Sequence, residues 1–217
     1  MVLSLFLMGE KLKKSDCTRI ISLEEMELIY QAYLDKSDAS QCNDLDFNSQ
    51  ASSNATKYFA LINSIQLQQK IYNFFSELKD AYLWYVITDV VSIDAAYSLP
   101  IMNALASSAD NIQLLILPLD DNKNVALRFL KSATESIPQL ICVKKTSDEI
   151  VFVWRPRSEL LQHQINEMQT SNNLNDDTNS SIERCYETDA GQSVQQEIYE
   201  KFKQAINNKS IIQDIYQ

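Results

Sequence analysis

Two polar side chains that could carry chemistry stand close together in the middle of the chain, in the stretch Val91-Ser92-Ile93-Asp94. A serine hydroxyl becomes a nucleophile only when a nearby base takes its proton. The sequence contains one histidine, His163, and it follows the last predicted strand, far from Ser92. A hydrolytic site is therefore not favoured, and the simpler interpretation of Ser92 is a polar loop residue near the start of a helix.

The composition excludes the common kinds of nucleotide and metal site. The chain has only 2 glycines, Gly9 and Gly191, so it lacks the glycine-rich loops whose backbone approaches phosphates. The chain has a single histidine, which excludes most histidine-based metal sites. Residues 44–48 imitate the first half of a calcium loop, but Ser49 stands where that loop needs glycine. We expect no cofactor and no metal ion.

The cysteines do not have the spacing of a redox or metal motif. Cys17, Cys42, Cys142 and Cys185 lie far apart, and no Cys-x-x-Cys pair occurs. This pattern favours reduced thiols, which are typical of a cytoplasmic protein. Cys142 lies in an apolar run, so we expect it to be buried and inert.

The charge and the hydropathy limit the possible partners. A net charge of -10 and a pI near 4.6 disfavour nucleic acid, because binding to phosphates depends on Lys and Arg. No stretch of about 18 apolar residues occurs, so we expect no membrane span. Met1–Met8 is apolar but has no basic segment before it, so we expect no signal peptide, and either methionine could be the start.

Hydrophobic periodicity predicts helices first and then alternating strands and helices. The first helix is expected at Ser22 because this serine and Glu25 have the spacing of a capping box. The predicted elements are a helix over 22–34, a polar linker over 35–55, two helices within 56–78, strands over 82–87, 112–117, 138–143 and 149–154, helices over 95–108, 122–133, 156–170 and 193–207, and a polar mobile loop over 171–181.

The order β-α-β-α-β-β-α over residues 82–170 predicts a right-handed crossover followed by a hairpin, which is the thioredoxin fold. The expected class is therefore α/β, with a central four-stranded mixed sheet flanked by helices. We divide the chain into an N-terminal helix and polar linker (1–55), a thioredoxin-like domain with helical extensions (56–207) and a C-terminal tail (208–217).

The residues themselves also resemble a known family. Residues 87–100, Ile-Thr-Asp-Val-Val-Ser-Ile-Asp-Ala-Ala-Tyr-Ser-Leu-Pro, resemble the active-site segment of a bacterial thioredoxin-like family that has Trp-Cys-Gly-Asp-Ala after the first strand. Later segments that resemble the family are Asp120-Asp121-Asn122, Ser136-Ile137-Pro138, Trp154-Arg155-Pro156-Arg157, Tyr186 and the Gln-Gln-Glu-Ile run at 195–198. The resemblance covers roughly residues 55 to 205.

Departures from the family pattern fall on the redox position. The resemblance places the family's cysteine at Ser92, its tryptophan at Val91 and its glycine at Ile93. A serine neither ionises near neutral pH nor forms a mixed disulfide, so redox chemistry at Ser92 is not expected. The resemblance places Asp94 at the start of a helix, where we interpret it as a structural N-cap. Arg157 is expected to pair with a surface carboxylate.

Three hypotheses for function follow from the resemblance. In thioredoxin-like folds the bond before the proline of Ile137-Pro138 is cis, and the backbone beside it pairs with extended peptides. The first hypothesis is therefore a redox-inactive protein that binds a peptide or protein at Val91–Asp94 and Ser136–Pro138, although Pro138 could equally just fix the start of its strand. The second is a thiol-disulfide oxidoreductase with a relocated cysteine such as Cys17 or Cys185. The third is a structural subunit whose acidic surface and aliphatic rim, formed by Val91, Ser92 and Ile93, mediate assembly.

Overall fold

The computed structural model describes residues 9–36, 45–129, 137–171 and 178–215. Its core is a four-stranded sheet with the strand order β2-β1-β3-β4. The strands are β1 (Tyr82–Thr88), β2 (Ile112–Pro118), β3 (Gln139–Lys144) and β4 (Ile150–Trp154), and the helices are α1 (Leu23–Lys36), α2 (Leu45–Leu61), α3 (Gln69–Ser76), α4 (Ile93–Ser107), α5 (Lys123–Phe129), α6 (Glu159–Ser171), α7 (Thr178–Asp189) and α8 (Gln192–Ile215).

Strand pairing follows from the connections. β1 and β2 are parallel and are joined by α4, whereas β3 runs antiparallel to both β1 and β4. A parallel pair needs a crossover, and an antiparallel pair can be joined by a short turn, as β3 and β4 are. The predicted α/β class, with a mixed four-stranded sheet flanked by helices, is confirmed.

Both faces of the central strand are covered. All seven residues of β1 are buried, as expected for an apolar strand inside a sheet with two covered faces. Trp84 and its same-face neighbours pack in one cluster with residues of α3, α4 and α8, while Tyr85 belongs to a second cluster on the other face. The second cluster also contains Leu12 and Phe129, so it is covered by α5 and by the N-terminal segment.

The N-terminal segment, residues 10–21, contacts both edges of the sheet. The N–H of Ile150 on β4 donates to the carbonyl of Glu10 (2.9 Å), and Ile21 exchanges two backbone hydrogen bonds with Ile116 on β2 (2.9 and 3.0 Å). Between these points the buried side chain of Leu12 packs against the sheet. The segment therefore crosses one face of the sheet and protects both edge strands from pairing with another chain at these positions.

Asn122, the residue before α5, holds this segment in place. Its Oδ1 accepts from the N–H groups of Thr18 (3.0 Å) and Arg19 (3.3 Å), and its Nδ2 donates to the carbonyls of Arg19 (2.7 Å) and Pro118 (3.0 Å). The side chain is fully buried, so all of its hydrogen-bonding groups are used inside the protein.

The predicted linker over 35–55 is wrong for its second half, because α2 begins at Leu45. Ala51, Ala55 and Tyr58 are fully buried, and their spacing of four and three residues places them on one helix face. Tyr58 stacks on Tyr30 of α1 with ring centroids 4.9 Å apart. Alanine contributes little to a hydrophobic pattern, so tertiary packing rather than propensity decides this helix. Residues 37–44 lie outside the described residues.

The predicted mobile loop over 171–181 is also wrong where it overlaps α7, while residues 172–177 lie outside the described residues. Ile182, Cys185 and Tyr186 are buried at helical spacing, and this short apolar face was hidden among polar residues. α8 extends to Ile215, so most of the predicted C-terminal tail is helical. The remaining predicted helices and strands are present with shifted ends, although residues 130–133 of the predicted helix 122–133 lie outside the described residues.

The capping box predicted at the start of the first helix is confirmed. The hydroxyl of Ser22 accepts from the N–H of Glu25 (3.2 Å), and the carboxylate of Glu25 accepts from the N–H of Ser22 (2.8 Å). None of the helices in the described part of the chain has the length and apolarity needed to cross a membrane.

Replacing Asn122 with alanine should detach the N-terminal segment. The change removes four hydrogen bonds that the fully buried Asn122 side chain makes to the backbone of Thr18, Arg19 and Pro118, so we expect a loss of about 2–3 kcal/mol in the free energy of unfolding. Urea unfolding measures the loss, with Asn124→Ala as the control. The exposed Asn124 donates one hydrogen bond, to the carbonyl of Asp16 (2.9 Å), and its loss should cost less than about 1 kcal/mol. Equal losses in the two variants would contradict this account.

Candidate functional site

The fold brings two loops together at one end of the sheet. The first loop, residues 89–92, follows β1, and the second contains Ile137 and Pro138 and precedes β3. Because Ile87 pairs with Gln139 in neighbouring strands, the loops meet. The hydroxyl of Ser92 donates to the carbonyl of Ile137 at 2.7 Å. Of the predicted docking residues, Val91–Asp94 and Ile137–Pro138 therefore lie in one place, whereas Ser136 lies outside the described residues.

Ser92 is the N-cap of α4. Its hydroxyl oxygen accepts from the N–H of Ala95 at 3.2 Å while its proton is donated to Ile137. A serine at this position satisfies one of the backbone donors that the first turn of a helix leaves free. The hydroxyl thus has both a donor and an acceptor. The acceptor is a carbonyl oxygen, which does not act as a base, so the arrangement does not activate Ser92 as a nucleophile.

Two further side chains fix the loop after β1. One carboxylate oxygen of Asp89 accepts from the N–H groups of Val91 (3.1 Å) and Ser92 (2.8 Å). Asn54, fully buried on α2, donates to the carbonyl of Val90 at 3.1 Å. Asn54 was not predicted as a site residue, because nothing in its polar surroundings distinguishes it from the other asparagines nearby.

Burial dominates the electrostatics of this loop. It raises the pKa of the Asp89 carboxyl above its usual value, although the two backbone N–H donors oppose the shift. Burial also raises the pKa of the Tyr30 hydroxyl, and the neighbouring charge of Asp89 adds to the effect. Tyr30 therefore stays protonated at neutral pH.

Asp94 is not an N-cap, which corrects the interpretation drawn from the sequence. The cap is Ser92, and Asp94 lies in the first turn with its carboxylate turned into the protein. Its two oxygens accept from Nε (2.8 Å) and Nη2 (3.2 Å) of Arg157, which lies between β4 and α6. The hydroxyl of Tyr186 on α7 donates to the same carboxylate at 2.8 Å. The bidentate geometry is the strong form of an arginine–carboxylate pair.

Arg157 was expected to pair with a surface carboxylate, but its partner is buried. The side chains of Arg157 and Asp94 are 15% and 6% exposed. Tyr186, which donates to Asp94, lies on α7 and links the ion pair to that helix. Its ring also stacks on Tyr97 of α4, with centroids 4.8 Å apart. Burial raises the pKa of the Tyr186 hydroxyl far above its usual value, and the Asp94 charge reinforces this, so the hydroxyl remains a donor. The pair connects α4, α7 and the turn after β4.

Only part of the predicted docking set is accessible. Val91, Ser92 and Ile137 are half-buried, whereas Ile93, Asp94 and Pro138 are buried. Ile93 was expected among the peptide-binding residues, but its side chain packs in the core as the first residue of α4. The peptide bond between Ile137 and Pro138 is cis.

None of the described cysteines is part of these two loops. Cys17 is half-buried in the N-terminal segment, and burial followed by the Asp16 charge raises its pKa to about 11. Cys185 is buried on α7 with a raised pKa, also because of burial. Cys142 is fully buried on β3, as predicted from its apolar run. Cys42 lies outside the described residues.

Other candidate groups form ordinary surface contacts. Nδ1 of His163 lies 3.4 Å from the Glu167 carboxylate on α6, where both side chains are exposed. Asp121 pairs with Arg19 at 3.1 Å, and Asp120 pairs with Lys123 at 3.1 Å. Among the described residues no group of three or more His, Cys, Asp or Glu side chains could hold a metal ion.

Comparison with known proteins assigns the family. A family model described as thioredoxin matches residues 43–172, which is more than half of the chain, so the chain belongs to this thioredoxin family. The match begins next to α2, the helix that carries Asn54, and continues through α6. A search of curated proteins finds no match.

Two solved structures are similar to the chain. A protein of unknown function from Pseudomonas aeruginosa has 13% sequence identity and a TM-score of 0.46, over 79% of this chain and 99% of that one. An HIV epitope scaffold also has 13% identity, with a TM-score of 0.45, over 76% of this chain and 96% of that one.

Removing one member of the buried ion pair should destabilise the protein strongly. Arg157→Met leaves the Asp94 carboxylate buried with only the Tyr186 hydroxyl as a partner, and we expect a loss of about 3–5 kcal/mol in the free energy of unfolding. Replacing both residues, in Asp94→Leu/Arg157→Met, should recover a large part of this loss, because no charge then remains buried.

The exposed pair Arg19–Asp121 provides the matched control. Its side chains are 55% and 41% exposed at a similar separation of 3.1 Å, so Arg19→Met should cost less than about 1 kcal/mol. Chemical unfolding of all four proteins measures these differences. A double variant that is no more stable than Arg157→Met would show that the cost comes from lost packing rather than from an unpaired charge.

Proposed function

We propose that the protein is a redox-inactive member of its thioredoxin family that binds an extended peptide or protein segment where the loops after β1 and before β3 meet. The observation that carries the proposal is the 2.7 Å hydrogen bond from the Ser92 hydroxyl to the Ile137 carbonyl. In the resemblance to the Trp-Cys-Gly-Asp family, Ser92 stands at the position of the redox cysteine. The resemblance thus implies that a hydroxyl occupies the place of the thiol, at a position where the loop after β1 contacts the loop before β3.

Redox inactivity is supported by the chemistry of serine. Disulfide exchange needs a thiolate nucleophile, and a hydroxyl engaged with a carbonyl and a helix N–H supplies none. The Ser92 side chain has a structural role instead, because it caps α4 and contacts the loop before β3.

The accessible groups of the site suit an extended chain. Val91 and Ile137 offer aliphatic surface on either side of Ser92, and all three are half-buried. The loop after β1 is held by Asp89 and Asn54, so a partner binds to a preorganised surface and loses less conformational freedom than with a mobile loop. The Ile137 carbonyl already accepts from Ser92, so its second lone pair remains for a partner.

The alternative is a thiol-disulfide oxidoreductase that uses a relocated cysteine. Cys17 and Cys185 were the candidates, but burial raises the pKa of both thiols, which lowers the thiolate fraction at neutral pH. Neither side chain lies in the loops that form the docking site. Both observations favour the first proposal over this one.

A cysteine placed at the docking site tests for peptide binding. In the variant Ser92→Cys, with Cys17 and Cys42 changed to serine, we compare two reagents that form a mixed disulfide with the new thiol. One is an extended seven-residue peptide whose single cysteine carries thionitrobenzoate, and the other is the small reagent dithionitrobenzoate. Docking should raise the rate for the peptide relative to the small reagent, and stopped-flow absorbance measures both rates.

Adding Val91→Lys to this variant should lower the peptide rate by at least about fivefold, equivalent to about 1 kcal/mol of lost contact, and should leave the small-reagent rate unchanged. The control is Leu28→Lys, at a side chain on α1 that is 70% exposed. Equal effects of the two substitutions, or no preference for the peptide, would contradict binding at this site.

A further inference from the structure

A second feature that could receive a partner lies on the edge of β2, which is the outer strand of the sheet. A groove of about 510 Å³ runs beside this strand. Its walls are the chain segment 20–24 on one side and the last turns of α4, including Asn103 and Ala106, on the other. A volume of this size is within the range of ligand-binding clefts. Leu114 of β2 forms part of its lining.

Backbone groups of β2 point into this groove without a partner. The N–H of Tyr82 donates to the carbonyl of Asn111, and the N–H of Leu119 donates to the carbonyl of Thr88. In the parallel pairing of β1 with β2, the odd-numbered residues of β2 therefore form the hydrogen bonds to β1. The even-numbered residues therefore direct their N–H and C=O groups away from β1.

Ile116 is the even-numbered residue of β2 whose backbone N–H and C=O both have partners, because both pair with Ile21. The N–H of Ile112 donates to the carbonyl of Ala109. Among the described residues, both backbone groups of Leu114 and the carbonyl of Ile112 have no backbone partner. Unpaired groups of this kind on an edge strand are a template for another strand.

The register explains why the chain does not fill this position itself. Ile21 pairs with Ile116 in the antiparallel sense, so continued pairing would place Leu23 opposite Leu114. Instead α1 begins at Leu23, and its capping box at Ser22 and Glu25 fixes that start. The protein thus begins an edge pairing and then turns away from it, which leaves the next position open.

The charge around the groove is negative. Glu24 is the one charged residue in the groove lining, and its carboxylate is exposed. The C-terminal end of α4 also faces the groove and carries the partial negative charge of a helix end. The whole chain has a net charge of -10, so a cationic partner is attracted and an acidic one is repelled.

We propose that the edge of β2 binds an extended segment of a cationic partner protein, which adds as a strand opposite Leu114 and places a lysine or arginine beside Glu24. The segment continues the pairing that Ile21 begins, and two hydrogen bonds to Leu114 replace those that Leu23 would have made. This site is separate from the loops around Ser92 and does not depend on their function.

The test uses the full chain labelled with ¹⁵N and a defined probe, the acetylated peptide amide Lys-Val-Thr-Val-Thr-Val-Lys. NMR titration up to about 1 mM peptide should shift the amide signal of Leu114 and slow its hydrogen exchange. The same peptide with glutamate in place of both lysines should bind more weakly. Glu24→Gln should reduce the affinity for the lysine peptide by about twofold to fivefold, as for an exposed ion pair.

Blocking the groove provides the decisive comparison. Asn103→Trp fills the wall formed by α4 and should abolish the shift at Leu114, whereas Gln204→Trp, at an exposed position on α8, should leave it unchanged. An unchanged Leu114 signal at the highest peptide concentration, or a shift that persists in Asn103→Trp, would overturn the proposal. So would equal binding of the glutamate peptide.

Two other outcomes would also overturn the proposal, because they would show that the peptide binds at another site or that the groove has another occupant. Shifts at Val91 and Ile137 without one at Leu114 would place the peptide at the loops after β1 and before β3. A Leu114 signal that changes on dilution of the protein alone would identify a second copy of the chain as the occupant.

Discussion

The hydrogen bond between the Ser92 hydroxyl and the Ile137 carbonyl is the contact on which the candidate site depends. It joins the end of β1 to the beginning of β3, two strands that are neighbours in the sheet but distant in sequence. The same hydroxyl caps α4, so one side chain sets both the start of the helix and the distance between the loops. A thiol at this position would make weaker hydrogen bonds, because sulfur is a poorer donor and acceptor than oxygen. A hydroxyl at this position thus favours a fixed loop over a reactive one.

The surroundings of Ser92 are built to hold this arrangement. Asp89 accepts from the loop backbone, Asn54 donates to it, and the Asp94–Arg157 pair anchors the first turn of α4 against α7 and the end of β4. These contacts come from segments far apart in the chain. A buried ion pair is weak evidence for added stability, but a broken one is costly, so the arrangement discriminates strongly against altered positions of α4.

The sequence predicted the sheet well because its strands are short apolar runs. β1 and β3 are buried almost throughout, and such runs are recognisable without any knowledge of their neighbours. It failed for α2 and α7, whose buried faces consist of small or isolated apolar residues among many polar ones. Their helical structure depends on the surface that receives them, and a single sequence does not contain that information.

The candidate site was predictable to a similar extent. The meeting of the Ser92 and Pro138 loops followed from strand order and from the resemblance. The partner of Asp94 did not, because Arg157 is 63 residues away and an N-cap is the simpler use of an aspartate before a helix. Asn54 and the unpaired edge at Leu114 gave no signal in the sequence. Both depend on backbone groups, whose directions become known only once the strands are in register.

Reduction of a disulfide-bonded test protein such as insulin measures the central claim most directly. Wild type is compared with Ser92→Cys/Ala95→Cys, which places a Cys-x-x-Cys pair at the start of α4, where the N–H of residue 95 already contacts the side chain of residue 92. We expect no turnover by wild type and catalytic turnover by the double variant, because a helix N-terminus lowers the pKa of the first thiol. Turnover by wild type would mean that another cysteine is catalytic. A folded but inactive double variant would mean that these loops do not have the geometry of a thioredoxin site.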